Sequence, residues 1–341
     1  RRELAGRVAA IFRRREAEGR ECRDLFQILH DARGPDGSRR YDDDQITGMF
    51  VSMMFAGHHT TSVVASWALL DLLTHPDWGA RVRDELDGLY ADGRSVSYQA
   101  LREIPVLESC LMETLRLHPP LVLLMRKVMH DFEHAGFRVP AGEIAAVSPA
   151  VSNRLAEHFP EPGRYDPTRY APGREEDRQV FAWIPFGAGR HRCVGAAFAM
   201  MQLKAIFSLL LTRFDFSLGQ PAEEYGIDSS KMVVALRQPC PVRYRGRAVA
   251  SAAEPSHREA ADLRATGPAA DALHLRADLD LCQGHAVCVA EAPEVFALDE
   301  ETGKVRLLDE RPGDEHRPAV EAALRHCPTR AIRNAASRAA R

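Results

Sequence analysis

The residues with the clearest capacity for chemistry lie in Phe186–Gly195, which reads FGAGRHRCVG. Gly187, Gly189 and Gly195 remove side chains where a backbone must turn tightly and come close to something flat. The run after Cys193, AAFAMMQLKAIFSLLL, reads as a helix and puts the sulfur at its N-terminus. Unpaired N–H groups and the positive end of the helix dipole favour thiolate over thiol there. A lone cysteine in a Gly-rich turn is ordinarily structural. The full spacing F-x-x-G-x-H-x-C-x-G rarely arises by chance, which sets this cysteine apart from that reading.

Two further constellations lie upstream. Ala56-Gly57-His58-His59-Thr60-Thr61 sits in a long helical pattern. Gly57 thins that helix, and a Thr hydroxyl can bond a carbonyl one turn back and bend it. Alone, Gly and Thr in a helix are ordinarily packing residues; a bend of that kind could also open a notch beside the helix. Glu113 and Arg116 are three apart on one helix face and can pair, which for most such pairs is a weak surface contact.

A separate pattern closes the chain: Cys282-x-x-His285-x-x-Cys288, with Cys327-Pro328 further on. Cys, His, Cys and Cys form a ligand set for structural zinc, and three thiolates with a Cys-Pro ending form one for an iron–sulfur cluster. The Cys-Pro ending favours the cluster. A colourless domain would mean zinc; visible absorption would mean a cluster.

The elements that must position these residues are mostly helical. Residues 1–17 and 22–32 read as amphipathic helices. A long helix opens at Asp42, with Gln45 placed for a capping box, and runs to His75 before Pro76. More helices fill 77–118, the last from Pro105 to His118. Short β-prone runs follow at Leu121–Met125, Phe137–Val139 and Ile144–Val147. Residues 152–183 are irregular, a helix occupies 194–213, and Met232–Leu236 with Pro241–Tyr244 suggests a closing hairpin. Composition shifts at Arg245. Residues 246–270 are Ala-rich, without aromatics, and read as a linker spanning roughly 25–30 Å as a flexible coil. The compact remainder, 271–341, is small enough to benefit from a metal centre.

Bulk numbers set limits. A net charge of −3 over 341 residues argues against general nucleic-acid binding. Seven scattered cysteines are no secreted disulfide framework. No signal peptide is visible and no apolar run approaches a membrane span; a monomer is expected, and a cytoplasmic location is expected from a bacterial likeness. The chain starts with Arg inside a helical pattern, so upstream sequence is expected to be missing. Between Asp278 and Glu321 twelve acidic residues face four basic ones. That is ordinarily a solvated surface; the other reading is a docking face for Arg190, Arg192 and Lys204 near the cysteine loop.

The cysteine loop resembles that of the cytochrome P-450 superfamily. The A/G-G-x-x-T of its distal helix and its E-x-x-R also have counterparts here. The segments MMFAGHHTTS, ETLRLHPPLVLLMR, SPAVSNR, WIPFGAGRHRCVGAAFAMMQ and SSKMVV narrow the likeness to the bacterial sterol 14α-demethylase branch, over about residues 1–245. This chain has His59 where an acid is commoner. The resemblance implies a mainly α cytochrome P-450 fold, its C-terminal portion, with small β elements. It implies haem b on Cys193, with the loop residues Phe186, Gly187 and Gly195 and the distal-helix residues Ala56 and Gly57 against the cofactor. Thr60 would position dioxygen, His59 would relay protons, and Arg126 and His191 would hold haem propionates. Glu113, Arg116 and Arg169 would brace the proximal face. Met53, Phe55, Ala56, Val122, Leu123, Met232 and Val233 would line a sterol pocket, ordinary core being the equal rival. The implied reaction is three monooxygenations of the sterol C14 methyl, to alcohol, to aldehyde, and then to formate with a 14,15 double bond.

Residues 271–341 resemble small bacterial ferredoxins, α+β domains in which three thiolates hold a 3Fe–4S cluster; APEVFALDEETGKVRLL shares the likeness. Cys282, Cys288 and Cys327 are the implied ligands. His285 stands where a fourth cysteine would complete a 4Fe–4S set, so its ligation stays open. Electrons would come from an NAD(P)H-dependent flavin ferredoxin reductase, and the tether would keep the cluster concentrated near haem. The alternatives are another hydrophobic substrate (terpenoid, steroid or fatty acid), or a haem-incompetent fragment that only carries electrons.

Overall fold

The computed structural model describes residues 2–19, 22, 24–179, 181–228, 230–231, 233–247, 273–279, 281–282, 284, 286–327 and 331–335. Met232, His285, Pro328 and most of the expected linker lie outside them. The chain divides into two compact units, Arg1–Gly88 with Leu101–Pro185 and Gln202–Ala248, and Leu89–Ala100 with Phe186–Met201 and Val249–Arg341.

The first part is helical: α1 (Arg2–Ala17), α2 (Leu25–Asp31), α3 (Asp43–Thr74), α4 (Pro76–Tyr90) and α5 (Pro105–Leu117). Asp42 caps α3 as expected. Its Oδ1 accepts the Gln45 N–H at 2.7 Å, and Gln45 Oε1 accepts the Asp42 N–H at 2.9 Å. Pro76 stops α3 and also opens α4, because a missing N–H costs nothing at a first helical position. The free N–H groups that begin α5 are met from α4, where Glu85 accepts those of Val106 and Leu107 at 2.7 and 2.9 Å. Ile46 of α3 packs on Val8 and Phe12 of α1. Leu107, Leu111 and Leu115 form the buried face of α5.

Small antiparallel pairs follow. β1 (Leu124–Lys127) pairs with β4 (Ile144–Val147), and β2 (Phe132–His134) with β3 (Phe137–Val139). Then come α6 (Pro149–Ser152), an irregular stretch with short 3₁₀ turns, and α7 (Ala196–Arg213). β5 (Phe214–Leu218), β6 (Ile227–Asp228), β7 (Ala235–Leu236) and β8 (Val242–Gly246) complete this part. The expected closing hairpin does not form. β8 pairs with β5 and β7 with β6, so each run finds a partner earlier in the chain. Arg247 then ion-pairs Asp87 at 2.7 Å.

The expectation about membrane spans needs correction, since α7 is long and apolar enough to cross a membrane by length and composition. Its buried Leu203, Phe207 and Lys204 are packed in protein, and Lys204 pairs with Glu108. Lys204 is therefore not a docking group.

The C-terminal elements are β9 (Leu275–Ala277), α8 (Val287–Glu291), β10 (Phe296–Leu298), β11 (Val305–Leu307), α9 (Arg317–His326) and β12 (Ile332–Asn334). β9 pairs with β12, and β10 with β11 as a hairpin. Leu275, Phe296, Val305, Val320 and Ile332 form one core together with Cys288.

Candidate functional site

The cysteine loop is shaped by its own backbone. The Cys193 N–H donates to the Phe186 carbonyl at 2.8 Å and closes the loop at its two ends. Gly187 and Gly189 hold φ of +71° and +65°, a conformation that costs other residues energy. Cys193 is exposed and stands three residues before α7, its carbonyl accepting the Ala196 N–H. Val194 and Phe198 beside it are 78% and 71% exposed. An exposed thiol on a turn opened by two glycines, flanked by apolar surface, fits a flat macrocycle ligated through sulfur. His191 of the same loop is exposed.

On α3, residues 51–59 are all exposed, on every face of the helix. Phe55 at 65% exposure presents its ring to His59, with centroids 6.0 Å apart. The Thr60 hydroxyl donates to the Ala56 carbonyl at 2.7 Å, across Gly57. Its one proton is thereby engaged.

Arg126 lies on β1, its guanidinium donating to the adjacent Met125 carbonyl. Val122 and Leu123 are exposed just before β1. The Val234 N–H donates to the Pro120 carbonyl at 3.0 Å, which brings the Val233 segment beside the residues leading into β1. Met53 and Phe55 stand apart from that junction, roughly 20 Å along the α3 axis from Trp67, which touches it.

The structure brings Glu113, Arg116 and Arg169 together in full burial, at 0%, 0% and 1% exposure. Arg116 Nε and Nη2 donate to the two Glu113 oxygens at 2.8 and 2.9 Å. Its remaining N–H groups reach the carbonyls of Asn153, Pro162 and Arg164. Arg169 donates to Glu113, Glu176 and the carbonyls of Pro160, Glu161 and Arg164. Glu113 also accepts the Asp166 N–H and the Tyr170 hydroxyl. Burial pushes the Tyr170 phenol well above its ordinary range.

Sequence reading missed a second buried group. Asp71 of α3 is 6% exposed and accepts the Thr114 hydroxyl at 2.7 Å, and His118 Nε2 lies 3.6 Å from it. A single acid inside the apolar run WALLDLLTH was the available signal.

In the C-terminal domain, Cys282 and Cys327 pack against the core that holds Cys288. Burial, and after it charge on Cys327 and Cys282, pushes the Cys288 thiol up to about 11. Cys282, Cys288 and Cys327 thus share one core, and their three sulfurs are a donor set that suits an iron–sulfur cluster. Among the described residues no group of three or more His, Cys, Asp or Glu is gathered as for a metal ion.

Residues 5–242 match the family model described as Cytochrome P450, and residues 277–334 match the 4Fe-4S single cluster domain of Ferredoxin I. Over 226 residues the chain is 55% identical to a sterol 14alpha-demethylase of Mycolicibacterium vanbaalenii and 57% identical to that of Mycobacterium tuberculosis. Each alignment covers 66% of this chain and 50% of the relative. It is 38% identical over 255 residues to a sterol 14-demethylase of Arabidopsis thaliana, covering 72% of this chain and 52% of that one. The chain spans about half the length of the curated relatives it matches.

Proposed function

The chain belongs to the cytochrome P450 family, and on that premise we propose that it carries the thiolate-bearing part and the electron supply of a sterol 14α-demethylase. The substrate would lose its C14 methyl in three monooxygenations, as formate, leaving a 14,15 double bond. The observation that carries the reading is 55–57% identity, along 226 residues, to relatives named for that reaction.

Haem b bound at Cys193 would supply the activation of dioxygen. The protein's own part is positioning. The Phe186–Cys193 hydrogen bond fixes where the sulfur points. Gly187 and Gly195 keep the loop thin against the macrocycle, as Ala56 and Gly57 do on the distal helix. Arg126 and His191 are the proposed hydrogen-bond partners of the propionates. Thr60 would position dioxygen by turning its hydroxyl from the Ala56 carbonyl to donate to it, His59 would hold and pass a proton, and the apolar residues Met53, Phe55, Val122, Leu123, Met232 and Val233 would exclude water around the sterol.

The proposed domain limits are 1–245 for the haem portion, 246–270 for a tether and 271–341 for the ferredoxin, supported by family matches over 5–242 and 277–334. Cys282, Cys288 and Cys327 are the proposed ligands of a 3Fe–4S cluster. The matching family is described by a four-iron cluster, so a fourth iron on His285 is the competing arrangement, and the spin of the oxidised cluster separates the two. A cytoplasmic monomer served by an NAD(P)H-dependent flavin reductase completes the proposal.

The test is the visible spectrum of the chain reconstituted with haem, oxidised and then reduced under carbon monoxide. A strongly red-shifted Soret band that responds to added sterol supports the reading. A band that responds to fatty acids or terpenoids but not to sterols replaces the substrate. Iron–sulfur absorption alone reduces the chain to an electron carrier.

A further inference from the structure

The β10–β11 hairpin touches the Cys282 loop through three consecutive residues. A Cβ on Gly284 would lie 2.2 Å from the Gly303 carbonyl oxygen, so the loop is pressed onto the hairpin turn with no room between. The Lys304 ammonium donates to the Leu279 carbonyl at 2.6 Å. The Val305 N–H donates to Cys282 Sγ at 3.2 Å.

That last contact has a defined geometry. Val305 lies opposite Leu298 in the hairpin register, and the adjacent ladder bond runs from the Asp299 N–H to the Lys304 carbonyl at 2.8 Å. The Val305 N–H is therefore turned out of the hairpin, towards the sulfur. Its side chain is 3% exposed in the domain core, which anchors the donor.

We infer that the Gly303–Val305 segment is a positioning device that sets the reduction potential of the cluster through the Val305 N–H on Cys282 and the Lys304 charge beside the same loop. The inference rests on the proposed ligation by Cys282, Cys288 and Cys327. An electron added to the cluster increases negative charge on its sulfur ligands. A hydrogen-bond donor aimed at one of them, and a nearby ammonium, stabilise the reduced form more than the oxidised form, so both raise the potential. The couple is a one-electron step in which no bond to protein forms or breaks.

The test uses the full chain with its cluster reconstituted and reads the potential by a redox titration followed by electron paramagnetic resonance. Val305→Pro removes the donor at a position whose N–H is outside the ladder, where proline is tolerated. It should raise the oxidised-to-reduced ratio at fixed poise about tenfold, about 59 mV for a one-electron couple. Gly284→Ala forces loop and hairpin apart, and Lys304→Met removes the charge; each should shift the ratio in the same direction by a smaller factor. If Val305→Pro fails to assemble a cluster, these two variants decide the matter. Glu300→Gln, at the exposed turn, serves as the reference for an altered surface charge. Wild-type potentials in the cluster-loaded variants overturn the inference. A wild-type chain that assembles no cluster overturns the ligand assignment instead.

Discussion

His118 lies flat against Trp67, with ring centroids 3.9 Å apart and planes 4° from parallel. The contact joins the end of α5 to α3. The Trp67 indole N–H continues it by donating to the Val234 carbonyl at 2.7 Å. One stacked pair thus ties two helices to the segment before β7. Trp67→Phe keeps an aromatic face on His118 but leaves that carbonyl without its indole donor. It should cost about 1–3 kcal/mol, measured as a lowered denaturation midpoint.

Glu113 is the shared acceptor of two buried guanidiniums, so removing its charge leaves Arg116 without a counter-ion and Arg169 with Glu176 alone. Glu113→Gln should destabilise the chain by about 3–5 kcal/mol, enough to abolish soluble folded protein by circular dichroism. Arg116→Lys should be nearly as damaging, because a lysine cannot serve the five acceptors that the planar fork now meets.

Asp166 predicts an acid limb. Burial opposes its charge, yet the Thr168 hydroxyl and the Arg174 guanidinium hold its carboxyl down at about 2. A folded-state value below the unfolded one stabilises the fold above the ordinary carboxylate range, and that stabilisation is lost as pH falls towards 2. Asp166→Asn should be less stable at neutral pH and should show a shallower loss between about pH 4 and 2. Denaturant midpoints against pH for the two proteins measure the difference.

The cysteines should react in a set order. Cys110 is 2% exposed, and burial pushes its thiol up to about 12, whereas Cys193 is exposed. Iodoacetamide should modify Cys193 in the folded haem-free chain and Cys110 only after denaturation. Haem should protect Cys193. Peptide mass spectrometry reads each site.

Thr60→Ala should leave haem and sterol binding intact while diverting reducing equivalents to peroxide, lowering product per NAD(P)H by about tenfold or more. Thr60→Ser keeps the hydroxyl and should retain coupling. The ratio of peroxide to product checks both.

Local signals carried much of the fold. The capping box at Asp42 and Gln45, the proline stops and the two cysteine patterns are short-range features, and the structure has helices and turns where they lie. Pairing of the short strands was not legible. The runs at 232–236 and 241–244 look like neighbours, but such brief segments hold no record of their partner, and β5 and β6 claim them. Lys204 reads as a surface cation in an apolar helix, yet it is buried because Glu108, distant in sequence, meets it. Asp71, Thr114 and His118 escaped notice for the same reason: each is ordinary alone, and only the crossing of α3 and α5 assembles them.

Arg116 and Arg169 also bear on how the chain acquires its shape. Together they gather carbonyls from Asn153, Pro160, Glu161, Pro162 and Arg164, a stretch with little regular secondary structure to hold it. Neither guanidinium is satisfied until that stretch has wrapped around it, and the stretch has no scaffold until the guanidiniums are in place. Partial assembly therefore strands two buried charges. Residues 153–169 should be acquired in a single late step, after α5, and should open to hydrogen exchange only when that helix also lets go.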